Sequence, residues 1–585
     1  MREPDDLDDP ALRDRAVAAA RGDAPFDLLI AGGEVADLAL GEVRGADVGV
    51  VGPLIASVHA PGARGDAAER LDASGLVVSP GLIDAHMHVE SSMVGPAEYA
   101  AAVLPRGVTT CVWDPHEFGN VAGAAGVDFA LAEGAATDLR FLVLAPSCVP
   151  SAPGYETAGA DFDAEAIEGL LARPEIVGLA EVMDMAGVVG RGERMSGIVQ
   201  AGLASAKLVC GHARGLTGAE LQAYAAAGVS SDHELTSSED LLEKLRAGLT
   251  IELRGSHPYL LPAFAEALAV MPALPSTLTL CSDDVFPDDL LATGGVDQTL
   301  RLLVKHGLQP LRALQAATFN AAQRLGRADL GLVAPGRRAD LALFRDLEAF
   351  EAVRVLRDGR PPRLTAGTAA PPPEAPALAT LIPDAFEVPA GGASARAAVI
   401  DRPRFTRWAE RRMDVLGGRL APPPDVTRIA VLHRHGRSDA DPRVGFLGGW
   451  GTWRGAFATT VSHDSHNLTV FGADTEDMAA AANALIASGG GMAVAQGGAV
   501  IAHLPLPICG LVSAAPLAEV AEGIAAVRAA MDRVVAWEPP YLTFKALVGA
   551  TLACNAGPHQ TDLGIADALE GRLLASPVLE DGAAV

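Results

Sequence analysis

Residues 79–93 read SPGLIDAHMHVESSM, a segment of strand length that closes on His86-Met87-His88. Side chains two apart on a strand point to the same face, so both imidazoles can grip one cation. Two histidines in a turn carry no such meaning by themselves; the rest of the chain gives the pair its weight. Seven further apolar runs follow, each with a polar cluster at its carboxyl end: GVTTCVWDPHE (107–117), LRFLVLAPS (139–147), IVGLAEVMD (176–184), KLVCGHA (207–213), GVSSDHE (228–234), LTIELRGSH (249–257) and TLTLCSDD (277–284). Stretches of helical periodicity separate them. Eight strands at the interval of a βα unit predict an α/β protein with a (β/α)8 TIM-like barrel over 79–326, its functional groups on the carboxyl ends of the strands.

The flanks of this segment are short strands broken by glycine turns, as in FDLLIAGGEV and ADVGVVGPLIASV before it and ADLALFRDLEAFEAVRVL after it. Residues 26–78 and 327–360 therefore predict one small β-sandwich module interrupted by the barrel. Residues 1–25 form an acidic amino-terminal arm, and 361–380 a Pro/Ala-rich linker. Mixed strand and helix signals over 381–585 predict a carboxyl-terminal α+β domain.

Composition narrows the function. The 585 residues hold 45 Lys+Arg against 73 Asp+Glu, a net charge of −28, so non-specific nucleic-acid binding is disfavoured and a small neutral partner is expected. Hydrophobic residues make up 49% of the chain, enough to fill large cores. The six cysteines, at 111, 148, 210, 281, 509 and 554, include no C-x-x-C pair, which fits a reduced, cytoplasmic protein. The charged amino terminus and the absence of any run of ~18 apolar residues argue against secretion and membrane insertion.

Four more residues at strand ends match the His86/His88 pair in chemistry and position: Glu181, His212, His233 and Asp283. Singly, each reads equally well as a cap or a hydrogen-bonded polar residue. Jointly, four histidines and two carboxylates form a dinuclear divalent-metal site with Glu181 as the bridging group. Carboxylate and imidazole donors suit Mn, Fe(II) or Zn. Cys111, Cys210 and Cys281 also lie near strand ends and are read as packing residues of the barrel. Such a metal pair lowers the pKa of water from 15.7 to about 7, and Asp283 beside it can act as general base. Hydrolytic attack on an electrophilic carbon is the expected chemistry.

Asp114, His116 and Glu117 follow the second strand and Asp284 follows Asp283. Glu117 is the first choice for protonating a substrate ring nitrogen, with Asp114, His116 and Asp284 as substrate contacts; an Asx or Pro turn with solvated carboxylates is the competing reading. His463-Asp464-Ser465-His466-Asn467 reads as a loop that brings His466 to substrate or to an extra metal, or else as a hydrogen-bonded turn of its own domain. His433-Arg434-His435 has the H-x-H spacing too, but its arginines disfavour a cation and it is read as structural.

SPGLIDAHMH resembles the first-strand signature of the amidohydrolase superfamily. VESSM, DPHEFGN, GLAEVMD, CGHA, SDHE and CSDDVFPDDL are similar to the bacterial adenine deaminase family within it. The resemblance extends past the linker, through RVGFLGGWGTWRGAFATTVSHDSHN, TEDMAAAANALI and LPLPICGLVS. It implies a metal-dependent barrel, with His86, His88, Glu181, His212, His233 and Asp283 as dinuclear ligands and Mn(II) or Fe(II) favoured over Zn(II). It also implies conversion of free adenine to hypoxanthine and ammonia by a hydroxide held between the metals, in purine salvage, and a homo-oligomer by superfamily analogy. Many superfamily members bridge the metals with a carboxylated lysine from the fourth strand; here that strand has no lysine and Glu181 stands in its place. His88-Val89-Glu90 satisfies the H-x-E of another zinc deaminase class, whose P-C-x-x-C partner motif is missing from this chain. A cyclic amidohydrolase acting on a hydantoin or dihydropyrimidine, and a non-catalytic metal-binding scaffold, are the alternatives.

Overall fold

A computed structural model describes residues 7–365, 369–373, 377–403, 405–537, 544 and 546–579; parts of the expected arm and linker lie outside these. All eight expected strands form: Leu82–Met87, Val108–Trp113, Arg140–Ala145, Ile176–Val182, Leu208–Gly211, Ser231–Asp232, Thr250–Arg254 and Leu278–Cys281. The first, second, fourth, seventh and eighth are buried at every residue. That is why they read as unbroken apolar runs and not as alternating ones.

The barrel closes only in part. Strands one to five pair in sequence as one parallel sheet and strands six to eight as another. At one seam Met87 bridges Asp283, whose N–H donates to the His86 carbonyl at 3.1 Å. At the other, the Ser230 N–H donates to Val209 at 3.1 Å. Glycine is required here, because a Cβ on Gly211 would collide with the Ser231 carbonyl oxygen. Asp283 takes a left-handed φ of 58° as the chain leaves the eighth strand, which turns its side chain at the first seam.

The flanking β segments build two facing sheets. One orders Leu54–His59, Asp47–Val51, Phe26–Ala31 and Ala67–Asp72; the other orders Ala352–Leu356, Leu341–Phe344, Val77–Pro80, Glu34–Asp37 and Glu42–Gly45. Ile30, Val48 and Ile55 from the first sheet meet Val35, Val78, Leu341 and Leu343 from the second. The expected acidic arm contains a helix, Pro10–Arg21, that docks Leu12 and Ala19 on this module beside Phe26, Val51 and Leu54. Its signals stand in the sequence: Asp9 caps the Ala11 N–H, Pro10 opens the first turn, and Gly22 ends it at φ 89°.

The carboxyl-terminal unit is a ten-stranded, mostly antiparallel sheet. Its strands alternate between two buried faces: Ala456, Ala458, Ala493 and Ala495 pack under helix Thr475–Ser488, while Phe457, Met492 and Val494 pack under Leu517–Val534. The second face joins the barrel's own apolar core through Met93, Val94 and Leu511. Ser513 N–H donates to Met93 O and Leu517 N–H to the Glu98 carboxylate, each at 2.9 Å, and Arg528 pairs with Asp288 at 2.8 Å. The unit thereby stands over the carboxyl ends of the barrel strands. Among the described residues no helix is long and apolar enough to cross a membrane.

Where the chain leaves the barrel for the β module, Arg327 and Arg338, both almost fully buried, hold Asp329 at 2.6 and 3.0 Å. Burial opposes ionisation of Asp329, yet the two guanidinium groups outweigh it and hold the carboxyl well below its usual range. A depressed folded-state pKa stabilises the protein above the unfolded value and is lost as pH falls. Asp329→Asn is expected to destabilise the fold by about 1–3 kcal/mol at pH 7, since it leaves buried donors short of an acceptor. Denaturant titration should show that difference shrinking below pH 4.

Candidate active site

Glu181, on the fourth strand, is 3% exposed and faces imidazoles with both carboxylate oxygens. Its Oε1 lies 3.4 Å from His88 Nε2 and 3.6 Å from His86 Nε2; its Oε2 lies 2.6 Å from His212 Nδ1 and 3.2 Å from His233 Nε2. Asp283 Oδ1 approaches the same nitrogens of His86 and His88 at 3.8 and 3.6 Å. All six residues expected as ligands from sequence thus converge, although they come from five strands. Burial disfavours the charge on Glu181, but the surrounding imidazoles, His233 first, keep its carboxyl well below the usual range.

The donor chemistry fits divalent cations. Neither ring nitrogen of His86 has a hydrogen-bond partner although the residue is buried, and His212 Nε2 and His233 Nδ1 are likewise unpartnered. Ring nitrogens of His86 and His88 and a carboxylate oxygen of Asp283 lie within 4.8 Å of one another, close enough to hold one ion. The thiols stay out: Cys281 donates to the Glu252 carbonyl at 3.0 Å, while Cys111 and Cys210 pack in apolar clusters. Burial pushes the Cys210 thiol up to about 12.

Two of the expected substrate contacts, Asp114 and His116, stand against the Glu181 cluster. Asp114 is fully buried; its Oδ1 accepts the His116 N–H at 3.0 Å and its Oδ2 lies 3.2 Å from His116 Nδ1. His116 Nδ1 is 3.6 Å from Glu181 Oε1. Both residues therefore stand within the imidazole–carboxylate cluster, Asp114 accepting from the turn after its strand. Glu117 is 1% exposed, with Oε2 unpartnered and Oε1 accepting from Ser91 at 3.4 Å. Its carboxyl is pushed well up by burial and then by the neighbouring charge of Glu90. Asp284 does reach the open side, and Ser91 donates to it at 2.5 Å.

The carboxyl-terminal loop arrives over this cluster, but with a different histidine foremost. His466 is fully buried and accepts the Ser462 N–H at Nδ1, 3.2 Å away, whereas His463 faces the cavity. His433-Arg434-His435 supports the loop from behind: Arg434 Nε donates to His466 O at 2.5 Å, and His435 Nε2 meets Ser465 O at 2.7 Å.

Sequence reasoning passed over the seventh strand, which ends in a polar cluster but supplies no expected ligand. From it Arg254 pairs with Asp283 Oδ2 at 2.8 Å and with Glu234, and Ser256 donates to the same Oδ2 at 2.9 Å. Burial opposes the charge on Asp283, and Arg254 above all overcomes this, holding the carboxyl well below its usual range. Glu252 Oε2 faces His233 Nδ1 at 4.0 Å. A cavity of about 130 Å³ opens above the cluster, lined by Ser91, Asp284, Phe286, Val461, His463 and Val548 among others.

Comparison with known proteins agrees with this architecture. Residues 77–361 match the model of the amidohydrolase family, and 403–572 match that of the adenine deaminase C-terminal domain. Adenine deaminase 2 of Rhizobium meliloti (strain 1021) is 63% identical over 588 residues, covering 99% of each chain. Adenine deaminase of Klebsiella pneumoniae subsp. pneumoniae is 52% identical over 95% of this chain and 94% of its own, and that of Methylobacterium sp. (strain 4-46) is 38% identical over 96% and 99%. The similarity runs along almost the whole length of the chain and of these relatives, and the chain belongs to the adenine deaminase family of amidohydrolases.

Proposed function

We propose that the protein hydrolyses free adenine to hypoxanthine and ammonia. The observation that carries this reading is Glu181, one carboxylate between two sets of imidazoles, beneath a cavity of the size class of a single small heterocycle, in a chain of this family. His86, His88, Glu181, His212, His233 and Asp283 are the residues that would hold a pair of divalent ions, with Mn(II) or Fe(II) favoured and Zn(II) compatible with the same donors. Bound there, such ions supply Lewis-acid activation of water.

The chain's own residues supply the remaining steps. Asp283, kept ionised by Arg254 and steered by Ser256, accepts a proton from the attacking water as its oxygen bonds to C6. Glu117, buried and held protonated, donates to a ring nitrogen as charge develops there. The C6–N bond then breaks as the proton on Asp283 passes to the leaving amine, the proton remaining on the C6 oxygen returns to Glu117, and hypoxanthine and ammonia depart. Glu252 stands behind His233, its Oε2 4.0 Å from Nδ1, where it would orient that imidazole once a metal ion is bound. Six unpaired cysteines, five of them buried, support a reducing, cytoplasmic setting, and a homo-oligomer completes the proposal.

Three measurements test it. Protein reconstituted with Mn(II) should lose the adenine absorbance and release ammonia; turnover of a hydantoin with adenine untouched would overturn the reading. Glu181→Ala should retain its fold but bind less metal per chain by elemental analysis, whereas Glu117→Gln should keep its metal and lose about 10²–10⁴-fold in kcat. Glu252→Gln should weaken metal affinity about 10–100-fold in chelator competition.

A further inference from the structure

His463 belongs to the carboxyl-terminal sheet unit, yet its side chain faces the barrel. Its Nδ1 stands 3.6 Å from Glu117 Oε1, and its Nε2 stands 3.9 Å from Asp284 Oδ2. Ser91, from the turn after the first barrel strand, touches the same two carboxylates from the other side, at 3.4 and 2.5 Å. Glu117 and Asp284 are therefore clamped between one barrel residue and one residue of the carboxyl-terminal unit. Nδ1 also lies 3.6 Å from Asp464 Oδ1, so the imidazole is set among three carboxylates.

The loop does not need this side chain to keep its shape. Its backbone is secured by His463 N–H to Val548 O at 2.9 Å, Thr551 Oγ1 to His463 O at 2.6 Å and His466 N–H to Ser462 O at 2.9 Å, with Arg434 and His435 bonded to later loop carbonyls. With the main chain anchored, the ring is left to face the cavity, at 15% side-chain exposure, beside Val461 and Val548.

We propose that His463 is a positioning residue: through its Nδ1 it holds the Glu117 carboxyl at the angle from which it reaches the substrate ring, so the barrel's active site is complete only with the carboxyl-terminal unit docked. This rests on the reading of Glu117 as proton donor. Nδ1 and Nε2 serve different partners, and two amides separate them. Asparagine places its side-chain NH2 near the Nδ1 position and can replace the Glu117 contact; glutamine reaches nearer the Nε2 position and the Asp284 contact.

The test uses full-length, Mn(II)-reconstituted protein with adenine as substrate. His463→Ala is expected to lower kcat about 10- to 100-fold, with KM changed less, and with metal content and melting temperature unchanged. His463→Asn should recover part of kcat and His463→Gln should not. In the His463→Ala, Glu117→Gln double variant the losses should fail to multiply, because the first acts through the second. Wild-type kcat in His463→Ala, fully multiplying losses, or metal loss in step with activity would each overturn the proposal. If Glu117→Gln alone left kcat unchanged, the donor reading itself would fall, a result separable from these.

Discussion

Everything at the carboxyl end of the barrel depends on one buried carboxylate. Glu181 is withdrawn from water, where an isolated charge would be prohibitive, and its two oxygens are shared among imidazoles from the first, fifth and sixth strand ends. Removing one of these partners leaves the buried carboxylate with fewer groups to offset its charge.

A second set of charges keeps the first in working order. Arg254 joins Asp283 to Glu234, which in turn pairs with Arg214 at 2.6 Å. Asp283 is thereby held ionised while Glu117, a short distance away and without a cationic partner of that kind, is driven toward its neutral form by burial. Two carboxyl groups of the same chemistry are pushed in opposite directions by their surroundings, the condition under which one accepts and the other donates a proton. The carboxyl-terminal unit contributes by covering part of the space above them with Val461, His463 and Val548, and the lower polarity there strengthens each of these interactions.

Legibility in the sequence followed periodicity and ligand type. The barrel strands were readable because both of their faces are buried, and the β module because short alternating strands and glycine turns recur on either side of the insertion. The helix Pro10–Arg21 lies in the segment expected only as an acidic arm, although its cap, its proline and its terminal glycine all stand in the sequence. Glu252, Arg254 and Ser256 were invisible as individuals: an Arg or a Ser after an apolar run is common, and only proximity to Asp283 distinguishes these. The contact of His116 with both Asp114 and Glu181 leaves no mark in spacing, because it joins the turn after the second strand to the fourth strand.

The amino-acid sequence by itself determined the strand count, the six metal-type side chains at strand ends and the absence of a bridging lysine, because these are local properties of residue type and period. Only the tertiary structure decided that the seventh strand braces Asp283, that His463 and not His466 faces the cavity, and that the carboxyl-terminal unit roofs the barrel. Those outcomes turn on which side chains meet across tens to hundreds of residues of chain, and such meetings are set by packing of whole elements, which no local pattern records.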